Sequence, residues 1–262
     1  MIGWPVEHSR SPTIHNAAAA ECGVDLAYVA FPVAPGDGAT AAESGRTLGL
    51  RGLSVTMPHK EDVIAALDQL SPAAELLGAV NCIVNDEGRL VGHNTDGSGF
   101  VRGFEHDTGL KLAGRSVLVV GAGGAARSII CACAAAGAAD VIVVNRTAQR
   151  AEEAAELAGA VGRVGSAADV AHADVIVNAT SLGMDDTSNR GLLAIDLAGA
   201  RPGAVVIDIV YRPEITPLRS AATELGLEHH GGLSMLTGQA IEQFELWTGK
   251  TPSFEALRSV LA

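Results

Sequence analysis

In the stretch LSVTMPHKEDV, residues 53–63, a lysine stands where a helix would not want one. Pro58 is suited to opening a helix, and that reading puts Lys60 in its first turn, at the positive end of the dipole. Glu61 and Asp62 suit such a position and Lys60 does not. A cation kept there against the local field is a candidate proton donor or charge stabiliser; the alternative is a solvated surface lysine.

A second candidate is VLVVGAGGAARSII, where a strand runs into Gly121, Ala122, Gly123, Gly124 and Ala125, and Ala126 takes the third small position before a helix. Small residues at a strand–turn–helix junction let a pyrophosphate approach backbone N–H groups at the helix N-terminus; the alternative is a tight structural turn. An NAD site usually places an acid about 20 residues further on. This chain has Asn145, Arg146, Thr147 and Arg150 there instead. A guanidinium pairs with a phosphate, so the cluster points to a 2′-phosphate and to NADP, against the reading of solvent-exposed arginines at a helix start.

Three further segments carry polar groups that admit two readings each. Ser9 and Ser11 precede Pro12, and Ser11 is read as a helix N-cap. Two hydroxyls beside a helix N-terminus could also converge on a substrate carboxylate. Asp96, beside Asn94 and Thr95 in GHNTDGSGF, reads alone as an Asx-turn, and Asn81 in GAVNCIV as a turn amide at the entrance of a strand. His229 and His230 are adjacent, so in a strand they point to opposite faces and make a poor metal pair; no metal site is expected.

The elements that must position these residues alternate between apolar runs and alanine-rich helical stretches. Candidate strands cover 28–33, 52–56, 82–85, 116–121, 140–146, 174–180 and 204–210. Alternation of this kind implies parallel sheets built from βαβ units, and the Val/Ile runs of the later strands imply sheet faces covered on both sides. A boundary is expected near HNTDGSGFVRG, and two helical candidates, SMLTGQAIEQFELWTG and SFEALRSVLA, follow the last strand and could return onto the first section.

Bulk composition excludes some functions. With 262 residues, one large or two smaller domains are expected, and 48% hydrophobic residues allow a sizeable, mainly aliphatic core. A net charge of −12 argues against non-specific nucleic-acid binding. The four cysteines, Cys22, Cys82, Cys131 and Cys133, form no Cys-x-x-Cys pair, which suits a reduced, cytoplasmic protein. The apolar stretch SIICACAAAGAA is too short for a bilayer, which needs about 20 residues, and reads as a buried helix.

Taken together, GWPVEHSRSPTIHN, VTMPHK, GAVNC, GHNTDGSGF, GAGGAARS, NRTAQR, NATSLGM, DIVYRPEITPL and GGLSMLTGQAIEQFELWTG resemble the shikimate dehydrogenase family, in that family's order and along nearly the whole chain. The resemblance implies an α/β protein of two domains. Residues 1–97 with 232–262 would form an N-terminal α/β substrate domain completed by C-terminal helices, and residues 98–231 a Rossmann-like NADP-binding domain. It implies reversible hydride transfer between NADPH and the ketone of 3-dehydroshikimate, in aromatic amino-acid biosynthesis, by a monomer or homodimer. By resemblance, Lys60 and Asp96 are the catalytic pair; Ser9, Ser11 and Tyr211 hold the substrate carboxylate; Thr56, Asn81, Asp96 and Gln239 read the ring hydroxyls. Gly121 to Ala125 with Asn145, Arg146, Thr147 and Arg150 hold NADP, and Ile209 and Gly232 lie near the nicotinamide.

Three departures from the family pattern stand out: Ser54 where Asn is usual, Cys82 where Thr is frequent, and a start at Met1-Ile2-Gly3 that implies a short first strand. Ser54 is expected to change a local hydrogen bond without changing the reaction class. The competing readings are a quinate/shikimate dehydrogenase with relaxed cofactor use, a dehydrogenase for another polar substrate, and a non-catalytic NADP-binding protein on the same scaffold. The two arginines argue against the first, and the polar set of Ser9, Ser11, Thr56, Asn81 and Gln239 against the second. Retention of Lys60 and Asp96 argues against the third.

Overall fold

The computed structural model describes residues 1–7, 9–184 and 191–261. The chain divides into two compact units, Met1–Gly99 with Thr237–Ala262, and Phe100–Leu236.

The first unit opens with β1 (Ile2–Gly3), α1 (Ser11–Glu21), β2 (Phe31–Pro32), α2 (Gly38–Thr47) and β3 (Gly52–Ser54). It continues with β4 (Gln69–Leu70), α3 (Pro72–Leu77), β5 (Cys82–Asp86) and β6 (Arg89–His93). Its main sheet is not the parallel βαβ sheet the sequence suggests: the order is β3-β5-β6-β4, with β3–β5 and β5–β6 antiparallel and only β4–β6 parallel. β5 and β6 form a hairpin whose two loop residues, Glu87 and Gly88, both have positive φ, as a type I′ turn requires. Glu is an uncommon first residue for that turn, so β6 leaves little trace in the sequence. Asn85 Oδ1 supplies what the turn needs, accepting from the Gly88 N–H at 2.8 Å. The expected strand 28–33 shortens to β2, which pairs in parallel with β1.

The second unit contains β7 (Ser116–Val120), α5 (Gly124–Ala135), β8 (Asp140–Val144), α6 (Ala148–Glu156), β9 (Gly162–Val164), β10 (Val175–Asn178), β11 (Val205–Asp208), α7 (Pro217–Glu224) and β12 (Glu228–Gly231). Its six strands are all parallel, in the order β12-β11-β10-β7-β8-β9. The direction of winding reverses between β7 and β10, the switch point of a doubly wound sheet. The near-continuous apolar runs follow from this. Val117, Val119, Val141, Val143, Val175 and Val177 bury into one cluster, while the alternate Leu118, Ile142 and Ile176 bury into another. Each fully buried side chain of this size contributes about 1.5–3 kcal/mol.

Three more helices complete the chain: α4 (Asp96–Thr108), α8 (Leu233–Thr248) and α9 (Phe254–Ser259). The cuts between units fall inside α4 and α8 rather than in loops. Within the first unit, Trp247 of α8 donates from Nε1 to the Ile83 carbonyl at 2.9 Å, fixing the end of α8 on β5. α9 lies on α1, where the Ser253 N–H donates to the Glu21 carboxylate at 3.2 Å. No helix among the described residues is long and apolar enough to cross a membrane.

Candidate active site

Lys60 is not in a helix. Its carbonyl accepts from Val80 N–H at 2.8 Å, so the backbone bond that would continue a helical turn is spent on the entrance to β5. A short 3₁₀ helix begins only at Asp62. The helix-dipole argument for Lys60 therefore falls, and its place is set by a tertiary contact. The side chain is directed at Asp96, with Lys60 Nζ 2.5 Å from Asp96 Oδ2.

The hairpin positions the partner groups. Asn81 N–H donates to the His93 carbonyl at 3.0 Å, extending the β5–β6 pairing by one residue and bringing Asn81 beside Thr95 and Asp96. Asn81 Oδ1 accepts from Thr95 N–H at 2.8 Å, which turns its amide nitrogen toward Asp96 Oδ1 at 2.7 Å. Asp96 is the first residue of α4, where the helix dipole favours a carboxylate. Its own N–H donates to Asn94 Oδ1 at 3.2 Å, so the Asx-turn belongs to Asn94. Gln239, on α8, joins the cluster through its Oε1, 3.3 Å from Asn81 Nδ2. Lys60, Asp96, Asn81 and Gln239 thus form one hydrogen-bonded group within the first unit.

The other expected substrate residues are held by different contacts. Ser11 is the first residue of α1 and not its N-cap; Ser9 Oγ accepts from Ser11 N–H at 3.2 Å and serves the helix start instead. Thr56 is half-buried just beyond β3, with its N–H on the Ile2 carbonyl at 3.0 Å. No side-chain hydrogen bond joins Ser9 or Thr56 to Lys60 or Asp96 among the described residues. Tyr211 belongs to the second unit and is exposed.

In the second unit, the glycine loop leaves β7 through Gly121, whose φ of +117° requires a residue without Cβ. Gly123 precedes α5, and a Cβ built on Gly123 or Gly124 meets no atom within 4 Å, so the backbone there is open to a ligand. Ala122 and Ala125 are half-buried beside it, and Ala126 is fully buried against the sheet. A cavity of about 380 Å³ lies at the ends of β7, β8 and β10, lined by Gly121, Asn145, Arg146, Thr180, Ser181 and Leu182. Asn145 Nδ2 donates to the Thr147 carbonyl at 3.0 Å, shaping the turn that presents Arg146. Arg146 and Arg150 are exposed, and neither makes an ion pair among the described residues. Gly232 lies so close to Ile209 that a Cβ would fall 1.9 Å from the Ile209 carbonyl oxygen.

Sequence reasoning passed over the residues that brace these groups. Thr95 and Gln243 are buried within the lysine–aspartate cluster. Gln243 follows Gln239 by four residues on α8, and that spacing, one face of a helix, was the available signal. In the second unit, Asp208 accepts from Asn178 Nδ2 at 2.9 Å, Thr216 Oγ1 at 2.6 Å and Val210 N–H at 3.0 Å, tying the ends of β10 and β11 together. Burial pushes the Asp208 carboxyl above the usual carboxylate range, against these three donors. Buried Cys82 is a free thiol whose pKa burial raises well above its ordinary value, a structural rather than reactive cysteine.

A doubly wound sheet with an open glycine loop, exposed arginines at the neighbouring strand end and a lysine–aspartate pair held by amides defines a dinucleotide-dependent oxidoreductase. Residues 1–83 match the shikimate dehydrogenase substrate binding domain, residues 105–218 the shikimate/quinate 5-dehydrogenase family, and residues 232–262 the shikimate 5′-dehydrogenase C-terminal domain. The shikimate dehydrogenase (NADP(+)) of Citrifermentans bemidjiense is 42% identical over 273 residues, covering 100% of this chain and 93% of its own. Shikimate 5-dehydrogenase from Listeria monocytogenes, solved with shikimate and NAD, superposes with a TM-score of 0.91 at 35% identity, over 100% of this chain and 94% of that one. The Thermus thermophilus enzyme, solved with NADP(H) and shikimate, gives 0.89 at 36% identity, over 99% and 96%. The chain belongs to the shikimate dehydrogenase family.

Proposed function

We propose that this chain catalyses the reversible NADP-dependent interconversion of 3-dehydroshikimate and shikimate, in the cytoplasm, with the first unit holding the substrate and the second the dinucleotide. The observation that carries the reading is Lys60 on Asp96 at 2.5 Å, inside a cluster of side-chain amides suited to a polyhydroxylated ring. When bound, NADP(H) supplies or accepts the hydride. The residues that fit it are Gly121 to Ala125, whose backbone is open at Gly123 and Gly124, and the exposed Arg146 and Arg150, which make no ion pair among the described residues and suit a 2′-phosphate.

Lys60 acts at the substrate oxygen, where reduction of a ketone leaves negative charge and the ammonium offers a proton. Asp96 holds that ammonium in place through a charge-assisted hydrogen bond, and Asn81 keeps Asp96 in place. Ser9, Ser11 and Tyr211 are assigned to the substrate carboxylate, and Thr56 and Gln239 to ring hydroxyls. Ile209 and Gly232, whose contact shapes the backbone after β11, are assigned to the nicotinamide side. The test is absorbance at the nicotinamide band with shikimate and NADP, repeated with NAD and with quinate. Rapid reduction with shikimate and NADP alone is expected. Preference for NAD or quinate would overturn the specificity, and inactivity with every pair would overturn the activity.

A further inference from the structure

The departure at Ser54 has a structural counterpart. Ser54 is buried, and its hydroxyl sits between two groups: Tyr28 Oη donates to Ser54 Oγ at 2.5 Å, and Ser54 Oγ donates to Gln243 Oε1 at 2.6 Å. The direction of each bond follows from backbone groups at the far end, which cannot reverse. Thr95 N–H is only a donor, so Asn81 must turn its Oδ1 toward it and its Nδ2 away. The Asn81 carbonyl is only an acceptor, so Gln243 turns Nε2 toward it, at 3.4 Å, and Oε1 toward Ser54. The two hydrogens of Gln243 Nε2 are shared among that carbonyl, Thr95 Oγ1 at 3.2 Å and Gln239 Oε1 at 3.4 Å.

Gln239 is therefore read from both sides. Its Oε1 accepts from Asn81 Nδ2 and from Gln243 Nε2, and its Nε2 makes no hydrogen bond among the described residues. Gln239 is only half-buried, whereas Gln243 behind it is 2% exposed. The polarity of a chain that starts at the Tyr28 hydroxyl thus ends in the choice of which end of the Gln239 carboxamide is left free.

We propose that Gln243, held by Ser54 and Tyr28, is a positioning residue that sets Gln239 as a hydrogen-bond donor toward a substrate oxygen. The site then selects a ligand whose group at that point is an acceptor. This rests on the reading of the first unit as the shikimate site, and it extends that site to three residues the family resemblance does not assign. In Gln243→Glu the carboxylate still accepts from Ser54 but repels Gln239 Oε1. The Gln239 amide then turns over and presents oxygen, so the ring hydroxyl must reorient to donate where it had accepted.

The test is a double-mutant cycle on the full chain, with KM for shikimate and kcat measured at saturating NADP. Gln243→Glu is expected to raise the shikimate KM about tenfold, with kcat within about threefold and the NADP KM unmoved. In a Gln239→Leu background, which has no amide to orient, the same change is expected to leave KM within about twofold. Ser54→Ala, which removes the donor to Gln243 Oε1 without adding charge, is run through the same cycle, so that a folding failure of Gln243→Glu does not end the test. Equal KM increases in both backgrounds, or no increase in the parent, would overturn the proposal. An inactive parent chain would overturn the substrate reading itself, which separates the two failures.

Discussion

Replacing Lys60 by methionine separates chemistry from architecture, because the two contributions of the lysine differ greatly in size. The change preserves most of the chain length and packing and removes only the ammonium. Asp96 then loses its partner at 2.5 Å but keeps Asn81 Nδ2 at 2.7 Å and its place at the start of α4. The two side chains are 26% and 11% exposed, so the abandoned carboxylate retains some access to water. The stability cost is therefore modest, about 1 kcal/mol, a shift of roughly 2–4 °C in Tm for a chain of this size. The catalytic loss is larger. A positioned proton donor contributes about 10²–10⁴ in rate, and charge stabilisation at the same oxygen is of similar order. A fall of about 10³ in kcat, some 4 kcal/mol of barrier, is expected. The KM for NADP should stay within about twofold, since Gly121 to Ala125 and Arg146 belong to the second unit and Lys60 to the first. Steady-state kinetics in both directions and a thermal melt on the same preparation provide the measurement. A kcat within tenfold of the parent, or a parallel rise in the NADP KM, would refute the role given to Lys60.

Two other predictions concern charge. Changing Arg146 and Arg150 together to alanine removes two charge-assisted contacts of about 1.5 kcal/mol each, so the KM for NADP should rise roughly 100-fold with NAD kinetics unchanged; an equal rise for both cofactors would mean the arginines serve the dinucleotide generally. His15 is fully enclosed and stacked on Tyr28 at 4.4 Å, its Nδ1 makes no hydrogen bond among the described residues, and burial lowers its pKa from 6.5 to about 3. The unfolded chain then binds this proton more readily, so stability falls as pH drops below 6.5 and the loss is complete only near pH 3. Between pH 7 and 5 this one group removes about 2 kcal/mol. Urea unfolding of His15→Phe should lose about that much less than the parent over the same interval, and identical losses would remove His15 from the account.

The nucleotide half of the molecule was legible along the chain because its determinants are local. A Val/Ile run, three small residues and a helix follow one another in β7, the loop and α5, and Arg146 stands just past the end of β8. Covering both faces of a parallel sheet also writes itself into the sequence as unbroken apolar strands. The substrate half was legible as a set of residues but not as an arrangement. Lys60 looked helical because Pro58, Glu61 and Asp62 are local signals. Only the tertiary structure reveals that Val80 takes its carbonyl, and it meets an aspartate 36 residues away. The hairpin that carries Asn81 to Asp96 turns on a glutamate at positive φ, for which residue type gives little warning. Ser54 and Gln243, 189 residues apart, are joined by a hydrogen bond whose direction depends on two backbone groups elsewhere. Side-chain identity determines what each of these groups can donate or accept. Which of the two it does is decided by the partners that folding brings within 3 Å or so, and sequence order carries no record of that choice.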